Sequence, residues 1–124
     1  MIITEADFAN LSLLDSAELR RLLVEAAMVS VYSTPPDLVT MYSRVLCTDL
    51  LTGTRLVLRL VYPGEEDTHA GWVSVLADGM ALLGASVGQL IEYNAPDGSP
   101  RRLRIEAVLY QPEDDLRTNL IVHG

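Results

Sequence analysis

The sequence predicts an α+β fold: a short N-terminal helical hairpin followed by a strongly curved antiparallel β-sheet, or half-open barrel, with one short helix. Three observations support this fold class. Apolar residues recur at helical spacing before residue 35, a Pro-Pro step interrupts the chain there, and apolar and polar residues alternate in short segments beyond it. The chain has 124 residues and 49% of them are hydrophobic, which is enough for one domain with its own core.

The first 34 residues form the predicted hairpin. Thr4 is the expected N-cap of a short first helix, and either Asp15 or Ser16 is the expected N-cap of a longer second one. The apolar face of the second helix comprises Leu19, Leu22, Leu23 and Ala26. Two short helices joined by a tight link indicate a helical hairpin.

A proline pair separates the hairpin from the β domain. Pro35 and Pro36 force the residues before them out of helical geometry, so the sequence predicts one domain over 1–34 and another over 35–124. Strands are predicted over 38–48, 55–62, 72–76, 89–94 and 102–110, with one or two helical turns over 79–84. Most connections are short, which favours antiparallel pairing of neighbouring strands.

The charge of the chain limits the classes of partner that it is suited to bind. The formal net charge is −8 and all nine basic residues are arginine, which disfavours direct nucleic-acid binding and an anionic membrane surface. This negative charge suits a protein partner with a basic patch, but a role in keeping the protein soluble explains the charge equally well. The single cysteine, Cys47, excludes an internal disulfide and is interpreted as a core residue. The N-terminus shows no signal peptide, so we expect a cytoplasmic protein.

Few residues are arranged for catalysis. His69 lies in a polar loop and His123 next to the C-terminus, neither beside an oriented nucleophile, so we expect no enzyme and no cofactor. The acidic run Glu65, Glu66 and Asp67 with His69 could bind a divalent ion, but a solvated acidic loop is the favoured interpretation.

Two charged clusters remain open to more than one interpretation. Asp15 and Glu18 lie three residues apart at the predicted hairpin tip, where they could share a Mg²⁺ ion with a polymerase active site. The same spacing also produces an N-cap with its capping-box glutamate, which we favour. Arg102 and Arg104 alternate onto one face of the last strand and indicate either a modest basic patch or a solvated outer sheet face.

Seven short segments stand in the same order as in one bacterial protein family. They cover 36–45, 60–63, 73–77, 81–84, 87–88, 96–98 and 109–113. Together they resemble the Rnk family, the regulators of nucleoside diphosphate kinase, which shares its C-terminal domain with the transcript-cleavage factors GreA and GreB. The resemblance implies an FKBP-like β domain after a short antiparallel helical hairpin, without implying prolyl isomerase activity.

The resemblance also implies a partner, bacterial RNA polymerase, bound near its secondary channel. In Gre proteins the polymerase-docking loop lies between the third strand and the short helix. The matching positions here are Ser74, Leu76, Ala77, Asp78 and Met80, with Leu76 where Gre proteins place an acid. The family name implies nucleoside diphosphate kinase as a second possible partner.

The predicted hairpin is too short to act as a Gre hairpin does. In Gre proteins a long hairpin carries acidic residues to the polymerase metal, whereas about sixteen helical residues span only about 24 Å. We therefore do not expect Asp15 and Glu18 to reach that metal. The sequence predicts a regulator that docks on RNA polymerase without transcript cleavage. The alternatives are a regulator of nucleoside diphosphate kinase and a vestigial enzyme, either a cleavage stimulator or a prolyl isomerase.

Overall fold

We describe residues 1–95 and 97–116 in a computed structural model of the chain. The elements in chain order are β1 (Ile2–Thr4), α1 (Glu5–Leu11), α2 (Ala17–Val24), β2 (Ala27–Val29), β3 (Arg44–Asp49), β4 (Arg55–Val61), β5 (Trp72–Ser74), β6 (Leu90–Asn94) and β7 (Pro100–Tyr110). Single 3-10 turns lie at Val31–Ser33 and Asp78–Ala81. The predicted α+β class is confirmed. The interpretation of His123 concerns a residue outside the described ranges.

Two short helices form near the N-terminus, where the sequence predicts them. Thr4 Oγ1 accepts a hydrogen bond from the Asp7 N–H at 3.0 Å and so caps α1. Ser16 Oγ accepts from the Leu19 N–H at 3.2 Å and caps α2. Asp15 is therefore not the cap. The antiparallel packing of α1 and α2 as a hairpin stays a prediction.

The N-terminal segment also contains two strands that the sequence did not predict. β1 and β2 pair in parallel, with Ile2 opposite Ala27 and Thr4 opposite Val29, and both helices lie between them in the chain. Strands of three residues contain too little alternation to be recognised from periodicity. This pairing ties the two ends of the helical segment together.

Substituting the cap of α2 tests this local structure. Ser16→Ala should lower the free energy of unfolding by about 1 kcal/mol, because the Leu19 N–H loses its acceptor. Asp15→Ala is the matched control. Asp15 has a fully exposed side chain and reaches Arg20 only at 3.5 Å, so its loss should leave stability unchanged in urea unfolding. A larger loss from Asp15→Ala than from Ser16→Ala would contradict the assignment.

A five-stranded sheet in the order β5-β4-β3-β7-β6 forms the rest of the fold. β3 lies antiparallel to both β4 and β7, and β6 lies antiparallel to β7. β4 and β5 are parallel, with Arg59 opposite Trp72, so the prediction of an entirely antiparallel sheet is wrong. The physical reason is the polar loop over 62–71, which is long enough to bring the chain back beside Arg59, so that β5 runs in the same direction as β4.

The first predicted strand is shorter than its pattern suggests. β3 begins at Arg44, whereas the prediction began at residue 38. Leu38 forms only an isolated bridge with Ser86, and a turn follows in which Tyr42 has a φ of 66°. The Thr40 N–H donates to Ser43 Oγ at 2.9 Å and closes that turn. Apolar residues before the turn are buried in the core. Their pattern in the sequence resembles the alternation of a strand.

One hydrophobic core contains residues from both predicted domains. From the first 34 residues it includes Ile3, Leu11, Leu19 and Leu23, and from the sheet it includes Val45, Cys47, Leu58, Leu60, Leu103 and Ile105. The Met41 N–H also donates to Asp7 Oδ2 at 3.0 Å across the predicted boundary. The two helices therefore bury their apolar residues together with the sheet's, and the boundary at residue 34 stays a prediction.

Cys47 is completely buried in this core, as predicted. Burial, with a smaller contribution from the Glu106 carboxylate, raises the pKa of its thiol to about 11, so the reactive thiolate is strongly disfavoured. No helix in the described ranges combines the length and apolar character needed to cross a membrane.

Candidate partner-docking site

The segment 74–80 forms a compact turn at the end of β5. Ser74 Oγ accepts from the Leu76 N–H at 3.2 Å, and the Ser74 carbonyl accepts from the Ala77 N–H at 3.1 Å. A Cβ atom on buried Gly79 would lie 2.5 Å from the Ser74 oxygen and 2.6 Å from Leu60 Cδ1. The lack of a side chain at Gly79 therefore lets the turn approach β4 and β5 closely.

The five positions assigned by the resemblance differ in exposure. Ala77 is exposed, whereas Ser74 and Asp78 are half-buried. Leu76 and Met80 are also half-buried and pack against the core. Leu76, which stands at the acidic position of Gre proteins, thus contributes more to packing than to a charged surface. The exposed part of this loop centres on Ala77.

A groove of about 1060 Å³ lies beside the loop. Four of the five predicted positions line it: Ser74, Leu76, Ala77 and Asp78. Its other walls come from residues distant in sequence, including Leu56, Leu58, Tyr93, Arg101, Leu103 and Asp49. The loop is therefore one edge of a larger concave surface.

An ion pair and a tyrosine with a raised pKa lie in the groove. Arg101 Nη1 lies 3.3 Å from Asp49 Oδ2, and only 23% and 13% of the two side chains are exposed, so the pair is well shielded from water. Burial raises the pKa of the Tyr93 phenol, and the Asp78 carboxylate adds to this shift. With this shielded pair and several leucines in its wall, the groove is suited to contact with a partner surface.

The acidic side chains of the loop over 64–67 accept hydrogen bonds from neighbouring groups. Glu65 Oε1 accepts from the Tyr42 hydroxyl at 2.7 Å, and Glu66 accepts from the Gly64 N–H. Asp67 Oδ1 accepts from the His69 N–H at 3.1 Å. The described residues contain no group of three or more His, Cys, Asp or Glu side chains placed to hold a metal ion. The acids act here as turn-stabilising acceptors.

Asp15 and Glu18 lie away from this site. Both are exposed, and neither lines the groove. Because Ser16 is the N-cap of α2, the interpretation of Asp15 and Glu18 as a capping box is wrong. Asp15 instead pairs with Arg20 at 3.5 Å on the surface.

Sequence reasoning missed the groove as a whole. Its ion pair joins Asp49 to Arg101, on strands that are adjacent in the sheet but far apart in the chain. Tyr93 enters it from the edge strand β6. No local sequence pattern predicts these contacts, although the alternation of β7 correctly places Arg101 and Leu103 on one face.

Comparison with known proteins places the chain in a defined family. Residues 34–110 match the family described as transcription elongation factor, GreA/GreB, C-terminal. The chain belongs to this family. It is 37% identical over 116 residues to the Regulator of nucleoside diphosphate kinase of Escherichia coli K12, and the match covers 91% of this chain and 82% of that protein.

Solved structures agree with this assignment. A prokaryotic transcription elongation factor GreA/GreB from Nitrosomonas europaea superimposes with a TM-score of 0.74 at 34% identity, over 89% of this chain and 98% of that one. GreA factor homolog 1 of Thermus thermophilus matches with a TM-score of 0.56 at 20% identity, over 89% of this chain and 99% of that one, and so supports the fold alone. These relatives carry the names of regulators and transcription factors. The FKBP-like character of the sheet stays a prediction.

Proposed function

We propose that this protein is a transcription-associated regulator that binds bacterial RNA polymerase near its secondary channel and does not stimulate transcript cleavage. Its membership of the GreA/GreB C-terminal family supports the choice of partner. The proposed contact is the loop over 74–80, with exposed Ala77 at its centre and the groove beside it.

The packing of the two helices supports the second half of the proposal. Leu11 and Leu19 are completely buried in the same core as the sheet residues, so α1 and α2 do not project as an arm. The longer helix, α2, has eight residues and is about 12 Å long. Such a molecule can occupy a docking surface, but it cannot carry Asp15 or Glu18 deep into a channel.

A pull-down with purified core RNA polymerase tests the docking loop. We expect retention of the wild-type chain at low salt and a loss of affinity of about tenfold or more for Ala77→Glu, because a bulky carboxylate would enter the contact. Ala6→Glu is the matched control, since Ala6 is also an exposed alanine but lies on α1, outside the loop. It should bind as the wild type does.

Two results would contradict the proposal. The first is no retention of the wild-type chain while a Gre protein is retained in parallel. The second is release of short transcripts from stalled polymerase complexes on addition of this protein. Equal weakening by Ala77→Glu and Ala6→Glu would leave binding in place but move the contact away from the loop.

A second candidate function is regulation of nucleoside diphosphate kinase. The observation that favours it is the 37% identity to a protein with that name. Purified kinase should then change its turnover, or co-elute with this protein in gel filtration, in the absence of RNA polymerase. No complex and no change in turnover would remove direct action on the kinase, and effects seen only in the presence of polymerase would assign the regulation to transcription.

A further inference from the structure

The face of the five-stranded sheet turned away from the core concentrates positive charge; we call it the basic outer face. Its arginines are Arg44, Arg55, Arg59, Arg102 and Arg104, and its acidic residues are Glu92 and Glu106. Among the residues that the structure describes, this face therefore holds five arginines and two acidic residues, in a chain of net charge −8. Glu65 and Asp115 border its end, where they accept from the hydroxyls of Tyr42 and Tyr110.

A row of four side chains crosses this face on neighbouring strands. Trp72 lies opposite Arg59, Arg59 opposite Arg44, and Arg44 opposite Tyr110. The guanidinium carbon of Arg59 is 5.6 Å from the Trp72 ring centroid and 5.5 Å from the Tyr110 ring centroid. Its Nε donates to the Tyr42 carbonyl at 3.1 Å. The two rings and this hydrogen bond hold the guanidinium in place before any ligand arrives.

The fold itself gains little from this arrangement. Arg44 and Arg59 are directly opposite on adjacent strands, where like charges are destabilising. Among the described residues, Arg44, Arg55 and Arg102 form no ion pair. A solvated sheet face ordinarily mixes both signs of charge. The excess of unpaired arginine is thus explained better by an external anionic ligand than by stability.

Within residues 1–95 and 97–116, a single ion pair lies on this face and leaves most of its charge uncompensated. Arg104 Nε lies 2.7 Å from Glu106 Oε1. Hydrogen bonding from Arg104 holds the pKa of Glu106 below its ordinary value, and the charge of Arg55 contributes to the shift. Glu106 is therefore already engaged by Arg104, and the arginines at the Trp72 end of the face stay available to other carboxylates.

We propose that the basic outer face binds an acidic, partly apolar segment of a partner protein. Arg44, Arg55 and Arg59 would pair with its carboxylates, since guanidinium groups match carboxylate geometry. Trp72 and Val57, which are 37% and 38% exposed, would contact its apolar residues. Arginine, tryptophan and tyrosine are the residues most enriched at energetically important positions of protein interfaces.

The same observations disfavour nucleic acid as the occupant. The net charge of −8 repels a dense polyanion more strongly than a short acidic peptide. Trp72 and Tyr110 already stack against Arg59, so they are poor platforms for bases. Trp72 and Val57 also line the groove beside the docking loop, but none of the five arginines does, so substitutions of the arginines test this face separately from the loop.

The only tryptophan of the chain lies on this face and provides the measurement. The full chain is titrated with a short peptide of alternating glutamate and leucine while Trp72 fluorescence is followed. We expect a saturable change in fluorescence, and we expect the affinity for the peptide to fall as the salt concentration is raised. Arg44→Glu combined with Arg55→Glu should reduce affinity by about tenfold or more.

The control has the same change in net charge at a different place. Arg20→Glu combined with Arg21→Glu alters two exposed arginines of α2, and it should change affinity by less than about twofold. Arg44→Ala combined with Arg55→Ala, checked for wild-type urea stability, should also lose affinity and excludes misfolding as the cause. No saturable change with the wild-type chain, equal losses in the two Glu variants, or tighter binding of oligothymidylate than of the peptide would each overturn the proposal.

Discussion

Replacing Gly71 with alanine should lower the free energy of unfolding by about 3 kcal/mol or more and displace β5. Gly71 has a φ of +77°, a conformation that residues with a Cβ rarely adopt. A Cβ there would also collide with the backbone oxygen of Val57 in the neighbouring strand. The Gly71 carbonyl accepts from the Arg59 N–H at 2.9 Å, so the collision falls on the hydrogen bonds that join β5 to β4.

Gly64→Ala separates the two causes of this loss. Gly64 has a φ of +94°, but a Cβ at that position would meet nothing within 4 Å. It should therefore cost only the conformational part, about 1 kcal/mol. Urea unfolding of both variants gives the comparison. Equal losses would show that the close approach to Val57 is not responsible. Because β5 leads into the loop over 74–80, the proposed contact with RNA polymerase predicts weaker retention of Gly71→Ala and unchanged retention of Gly64→Ala.

Asp7→Asn should stabilise the protein at neutral pH. Burial raises the pKa of Asp7 from 3.8 to about 6; the hydrogen bond from Met41 opposes this shift, and the nearby Glu113 carboxylate adds to it. The carboxylate also faces Tyr62, whose pKa is raised to about 12, chiefly by burial and then by Asp7. An amide oxygen at position 7 can still accept from the Met41 N–H, without a charge to bury.

The sign of the pH dependence follows from the direction of this shift. The folded state binds the Asp7 proton more tightly than the unfolded state, so the contribution of Asp7 to stability is greatest below about pH 4, declines until about pH 6 and is constant above that. The decline amounts to at most about 3 kcal/mol. Asp7→Asn should remove this part of the slope and exceed the wild type above about pH 6 by about 2 kcal/mol.

Urea unfolding across this pH range checks the prediction. Asp15→Asn is the control, because the Asp15 side chain is fully exposed. It should retain the wild-type slope. A lower stability of Asp7→Asn than of the wild type at neutral pH would mean that the ionised carboxylate contributes more through the Met41 hydrogen bond than it costs through burial.

Much of the local structure follows from local sequence. Thr4 caps α1 as predicted, and the strands predicted over 55–62 and 102–110 correspond to β4 (Arg55–Val61) and β7 (Pro100–Tyr110). The stretch before Arg44 shows the limit of such reasoning. Its apolar residues are buried in a turn closed by Thr40 and Ser43, and burial alone does not distinguish a turn from a strand.

Long-range pairing decided the two surfaces that we propose as binding sites. The sequence predicted the residues of the loop over 74–80 only through a family resemblance, and it gave no sign of the groove that Asp49, Tyr93 and Arg101 complete. It also treated the net charge of −8 as a property of the whole surface. The sheet instead collects five arginines on one face, because the register places Arg44 between Arg59 and Tyr110.

The sequence by itself determined the two helices, the longer strands of the sheet and the family to which the chain belongs, since periodicity, capping residues and motif order are local properties. Only the tertiary structure decided that β5 runs parallel to β4 and that α1 and α2 join the core of the sheet. It also decided which face collects the positive charge. These features depend on contacts between residues far apart in the chain. The free energy of such contacts cannot be inferred from any one segment of the sequence.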